Sequence, residues 1–137
     1  MKRILFLLIS SSLLATVSYA QKSKAELPIN WDDSATVDYA TRDFDGTASN
    51  IDVSPTNANN IVLKTVKNAG QVWAGTVIGD NSMAKKIPFT ATEKTIKALV
   101  YSPDTGIIVK LKVENGTSGA INAEVDVKTT VANAWDT

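Results

Sequence analysis

Histidine and cysteine are both absent from this 137-residue chain, so acid–base chemistry and metal ligation fall to its carboxylates. Without an imidazole there is no triad built on a histidine base, no histidine general acid and none of the usual zinc sites. Two carboxylate groupings remain. Glu114 and Glu124 flank a turn, and a glycosidase needs two carboxylates about 5–10 Å apart. Hairpin neighbours reach that separation without any catalytic purpose. Lys110 and Lys112 lie alongside, and cations lower a carboxyl pKa where a general acid needs it raised. The pair is therefore read as non-catalytic. The second grouping, Asp32, Asp33, Asp38, Asp43 and Asp45, offers hard oxygen ligands of the kind calcium takes six to eight at a time. Asp43-Phe44-Asp45-Gly46 is only a fragment of a calcium-loop pattern, and Ser54 stands where an EF-hand needs its bidentate glutamate. Asp32, Asp33, Asp43 and Asp45 are thus either ligands of a structural calcium ion or turn-forming aspartates.

Binding chemistry has more candidates. Trp73 is followed two positions on by Gly75. On a strand both fall on one face, leaving open space beside an indole that could stack on a pyranose ring. The competing reading is a core tryptophan. Lys110, Lys112 and Glu114 share a face with Glu124, Asp126 and Lys128 if their two segments pair as a hairpin. That face is either solvated, with opposite charges stabilising the pairing, or concave and hydrogen-bonded to sugar hydroxyls, with Tyr101 adding a ring. Trp31 and Trp135 flank strand ends and read as core. Asn115-Gly116-Thr117 matches a glycosylation sequon but reads as a loop.

The elements that must position these groups are strands. From Thr95 to Lys128 apolar and polar residues alternate. Ile107, Val109, Leu111 and Val113 share one face, and Ile121, Ala123, Val125 and Val127 repeat the pattern after the turn-rich Asn115 to Ala120. Earlier strands are expected at Ile29 to Trp31, Val37 to Arg42, Ala48 to Val53, Ile61 to Val66 and Val72 to Ile78, and a later one at Thr95 to Tyr101. Turns are expected at Asp32-Asp33-Ser34, Asp43 to Gly46, Ser54 to Asn57, Lys67 to Gly70 and Ser102 to Gly106. Gly79 to Lys86 reads as a longer loop. No sequence repeat, linker or sustained helical period is present. Short strands at this spacing indicate a sandwich or barrel.

Residues 1–20 read as a signal peptide: a basic Lys2-Arg3, an apolar run from Ile4 to Ile9 resuming at Leu13-Leu14, and small residues at Ser18-Tyr19-Ala20. The run is shorter than the roughly 20 apolar residues of a membrane span, and no cysteine follows Ala20 to carry a lipid. The product is expected to be secreted or at the cell surface, without membrane insertion. Removing Lys2 and Arg3 leaves 12 of the 14 basic residues against 14 acidic ones, a net charge of −2, which gives no footprint for nucleic acid. Residues 21–26 read as a flexible lead-in and residues 27–137 as one domain.

Over residues 27–137 the chain resembles the N-terminal part of a jelly-roll, carbohydrate-binding-like module. Such modules occur in secreted and surface proteins of marine, polysaccharide-degrading Bacteroidota. The resemblance is carried by Leu27-Pro28-Ile29-Asn30-Trp31-Asp32-Asp33, Asp43-Phe44-Asp45-Gly46, Gln71-Val72-Trp73-Ala74-Gly75-Thr76, Val100-Tyr101-Ser102-Pro103-Asp104-Thr105-Gly106 and Thr129-Thr130-Val131-Ala132-Asn133-Ala134-Trp135. It implies an antiparallel jelly-roll β-sandwich that binds a polysaccharide, a β-glucan or another algal glycan, without catalysing a reaction. It also implies closing strands beyond Thr137 and a longer parent protein with catalytic or sorting domains. The alternative is a structural or adhesion sandwich that binds no sugar.

Overall fold

The computed structural model describes residues 20–80 and 83–137; the expected signal peptide, except Ala20, lies outside them. The described residues contain no helix and form ten strands in five two-stranded sheets, one parallel and four antiparallel. The strands are β1 (Ser23–Lys24), β2 (Val37–Asp38), β3 (Arg42–Phe44), β4 (Thr47–Ser54), β5 (Asn57–Lys67), β6 (Gly75–Val77), β7 (Val100–Ser102), β8 (Ile108–Asn115), β9 (Ser118–Lys128) and β10 (Ala134–Asp136). β1 runs parallel to β2, while β3 pairs with β6, β4 with β5, β7 with β10 and β8 with β9. The all-β expectation holds. The sheets do not close on one another among the described residues.

Two hairpins dominate, and they have the same dimensions. Each joins an eight-residue strand to an eleven-residue strand through two residues, Pro55-Thr56 in the first and Gly116-Thr117 in the second. Each register slips just before the turn, between Val53 and Ser54 and between Glu114 and Asn115. Short side chains close both turns locally. Ser54 Oγ accepts from the Thr56 amide at 3.3 Å, and Asn115 Oδ1 accepts from the amides of Thr117 at 2.8 Å and Ser118 at 3.3 Å. Ser54 to Asn57 is therefore tighter than its composition suggests, and Asn59-Asn60 belongs to β5, because the bulge absorbs residues that otherwise mark a loop. The likeness of the hairpins lies in backbone length, which leaves no repeat in the sequence.

Several other segments differ from expectation. Ile29 to Trp31 is not a strand, and Trp31 has φ 66°. Val37 to Arg42 is split around Ala40, at φ 42°. Asp43 and Phe44 leave the expected turn to pair with Thr76 and Gly75, so the turn shrinks to Asp45-Gly46. Only Gly75–Val77 of Val72 to Ile78, and only Val100–Ser102 around Thr95 to Tyr101, is strand. Within residues 21–26, Ser23 and Lys24 pair with Val37 and Asp38, and Ala25 is 1% exposed. Its amide donates to the Asp38 carbonyl at 3.1 Å and its carbonyl accepts from Ala84 at 2.8 Å.

Close backbone approach fixes the corner where β3, β4, β5 and β6 meet. A Cβ on Gly46, at φ 103°, would lie 2.8 Å from the Ala69 carbonyl oxygen, and one on Gly70 would run into the Asp45 carbonyl. The Asn68 amide donates to the Gly46 carbonyl at 2.9 Å there. Only glycine permits both this backbone conformation and this proximity.

Candidate functional site

The structure distributes the sequence-derived ligand-binding candidates over three places. At the β3–β6 corner, Trp73 precedes β6 in a turn and is 61% exposed, so it is not a core residue. Its indole Nε1 donates to Asp45 Oδ2 at 2.7 Å, which holds the ring in one orientation. The space expected beside it is filled, because the Phe44 ring occupies the side-chain position of Gly75, its Cζ 2.9 Å from where a Cβ would sit. Gly75 therefore serves to seat Phe44, and the indole owes its accessibility to the turn.

Next to this turn runs a chain of hydroxyls that sequence reasoning missed. Thr76 Oγ1 donates to Asp43 Oδ1 at 2.6 Å, and Asp43 Oδ2 accepts from the Ser49 amide at 2.7 Å. Ser49 Oγ lies 2.7 Å from Thr76 Oγ1 and 3.0 Å from Thr65 Oγ1. The Thr76 bond, assisted by that of Ser49, holds the Asp43 carboxyl below the usual carboxylate range. The only sequence signal was period-two placement: Ser49 and Thr65 are cross-strand partners, as are Asp43 and Thr76.

The β8–β9 hairpin brings Lys110, Lys112, Glu114 and Glu124 onto one face with Asp126, as expected, and its register sets Lys110 opposite Asp126 and Lys112 opposite Glu124. Lys110 Nζ sits 3.0 Å from Glu124 and 3.1 Å from Asp126, and Lys112 pairs with Glu114. Hydrogen bonds to these carboxylates raise the pKa of both lysines above the ordinary lysine value, Glu124 acting most on Lys110 and Glu114 on Lys112. The face is exposed and its charges answer one another, the ordinary arrangement of a solvated antiparallel sheet. Tyr101 lies elsewhere, on β7, edge-on to Trp135 of β10 with ring centroids 5.6 Å apart. Trp135 Nε1 in turn donates to Thr56 Oγ1 at 2.9 Å.

The four aspartates read as calcium ligands are not gathered around one point, and no group of three or more acidic, histidine or cysteine residues among those described could hold a metal ion. Each aspartate has a protein donor. Asp32 Oδ1 accepts from the Ile61 amide at 3.1 Å, Asp33 from the Tyr39 hydroxyl, Asp43 from Thr76 and Ser49, and Asp45 from Trp73. Asp32, Asp43 and Asp45 lock segments about thirty residues apart, while Asp33 closes a local turn on Tyr39.

Comparison with family models, curated proteins and solved structures gives no match for this chain.

Proposed function

We propose that this chain is a non-catalytic polysaccharide-binding module, exported to the cell surface or medium, whose glycan lies against Trp73 and the hydroxyl chain beside it. The observation that carries this reading is the exposed, hydrogen-bonded indole. A side chain with so much apolar area is usually withdrawn from water, and one held outward offers a flat, preorganised surface for the C–H face of a sugar ring. With the Thr76 proton given to Asp43, Ser49 donates to Thr76 and Thr65 to Ser49, so the three hydroxyls offer acceptor lone pairs to a ligand and Asp43 adds a charged acceptor. The ligand class is a β-glucan or another algal glycan, the proposed architecture is a jelly-roll sandwich, and the module works beside catalytic or sorting domains of a longer protein.

A second reading, a scaffold or adhesion sandwich without sugar binding, is favoured by the hairpin face. Lys110 and Lys112 already spend their charge on Glu124, Asp126 and Glu114. Affinity electrophoresis through gels containing different polysaccharides separates the two. Under the first reading at least one glycan retards the protein and Trp73→Ala abolishes the retardation, while the combined Lys112→Ala, Glu124→Ala variant migrates like the parent. Absence of retardation by every glycan supports the scaffold.

A further inference from the structure

We infer that the Trp73 surface selects uncharged glycans and excludes sulfated and uronate-bearing ones, because the row of hydroxyls beside it can accept hydrogen bonds but has no proton left to give. This specificity rests on the reading of that surface as a glycan site, and it narrows the class of glycan taken.

The direction of every proton in the row follows from its one charged end. Thr76 Oγ1 can only donate to the Asp43 carboxylate, 2.6 Å away. With its single proton spent, it must accept from Ser49 Oγ at 2.7 Å, and Ser49 in turn must accept from Thr65 Oγ1 at 3.0 Å. The row therefore runs from Thr65 through Ser49 and Thr76 to Asp43, each bond polarising the next. The Thr76 bond, assisted by that of Ser49, holds the Asp43 carboxyl below the usual carboxylate range, so the charge that sets this direction persists in neutral and mildly acidic solution. Asp43 and Thr65 are exposed, and Ser49 and Thr76 half-buried, which leaves the row within a ligand's reach. Only lone pairs meet that ligand.

Neighbouring groups do not restore a donor. Thr47 Oγ1, two positions before Ser49 on β4, has an uncommitted proton but is buried. The Trp73 indole gives its N–H to Asp45. Of the cations at adjoining positions, Arg42 is bound to Asp80 at 2.7 Å, Lys64 to Asp52 at 3.5 Å and Lys67 to the Asn68 carbonyl at 3.4 Å. Gln71, in the approach to Trp73, carries an amide that gives and accepts alike and so favours neither class. A sugar hydroxyl answers the row by donating. A sulfate ester or a uronate carboxylate has no proton to donate, and it sets its lone pairs and charge against those of Asp43. That clash is the repulsive element by which a site rejects a wrong partner.

The test is affinity electrophoresis of the exported chain through gels of neutral polysaccharides, each beside its own sulfated derivative, with alginate as the uronate probe. At least one neutral glycan, a β-glucan first among them, should retard the parent, and its sulfated derivative should bind about tenfold or more weakly, as expected where polar groups are left unanswered. Asp43→Asn frees the row to reverse and should narrow that ratio to within about threefold. Thr65→Val should weaken neutral-glycan retention by about threefold to tenfold, the loss of one hydrogen-bonding hydroxyl, and Thr65→Ser should restore it. Position 65 is exposed, so the melting temperature of both variants should stay with the parent, and this pair carries the test if Asp43→Asn fails to fold. Retention of a sulfated or uronate glycan as strong as that of the neutral one overturns the specificity while leaving Trp73 a glycan site. An unchanged ratio in folded Asp43→Asn, or an indifferent Thr65→Val, does the same. Neutral-glycan retention that survives Trp73→Ala but falls in Thr65→Val keeps the row and removes the indole from the site. No retention of the parent by any glycan overturns both.

Discussion

An indole that is 61% exposed and tied by a single hydrogen bond to Asp45 has much to lose in binding and little in packing. Trp73→Ala is expected to keep the parent's far-ultraviolet circular dichroism and melting temperature, whereas removing a buried indole costs about 3–5 kcal/mol. Unfolding of that variant would make Trp73 structural after all. Tyr39 is the opposite case. Burial, reinforced by the bond to the Asp33 carboxylate and its charge, pushes its hydroxyl up to about 12. The folded state binds this proton more tightly than the unfolded chain, whose tyrosines titrate near 10. The contribution to stability is therefore complete below about pH 10 and disappears as pH rises towards 12. Spectrophotometric titration should find one phenol ionising well above the usual value, with the melting temperature falling through the same interval. Tyr39→Phe should remove that late titration.

Ion pairs and glycines make different demands on the β8–β9 hairpin and on the β3–β6 corner. The Lys110, Glu124 and Asp126 cluster is exposed and screened by water, and such pairs add little to stability. Lys110→Ala should leave the denaturant midpoint nearly where it is, with the same small response to added salt. The β3–β6 corner depends on the absence of side chains. Gly46→Ala forces a methyl group against the Ala69 carbonyl at a positive φ and should cost well over about 1 kcal/mol. Gly106, also at positive φ but with nothing within 4 Å of its Cβ position, should tolerate alanine better, paying only the conformational strain. Equilibrium urea unfolding of the two variants ranks them, and equal midpoints would show that close packing at the corner is unimportant.

Taken together, the sheets leave much apolar surface in water. Val125 and Val127 are 54% and 45% exposed on the face of β9 that also carries Ala123, and Ile51 and Val53 are 44% and 52% exposed on β4. β9, eleven residues long, pairs only with β8 among the described strands. Open apolar faces and an unpaired edge favour association. Sedimentation velocity should show the weight-average mass rising with protein concentration, and Val125→Thr combined with Val127→Thr should suppress the rise while preserving β structure. A concentration-independent monomer that binds no hydrophobic dye would refute this. Export has its own check: intact mass of the secreted product should begin at Gln21, and retention of Lys2-Arg3 would contradict extracellular delivery.

The faces of the second hairpin were legible, because alternation at period two sets which side chains share a face; its register was not, since the turn read over Asn115 to Ala120 closes through Gly116-Thr117 alone and so sets Lys110 opposite Asp126 and Lys112 opposite Glu124. The all-β class followed from the same periodicity. Where strands are two or three residues long, periodicity carries no information. Asp43 and Phe44 look like a turn until Thr76 and Gly75 arrive from more than thirty positions away to pair with them. The seating of Phe44 over Gly75 arises from that encounter, as does the Asp43–Thr76–Ser49 hydroxyl chain. Alternation along one segment is a local property that every residue records. Contacts between segments remote in sequence depend on backbone approach at a few positions such as Gly46 and Gly70, and they exist only once the chain is folded.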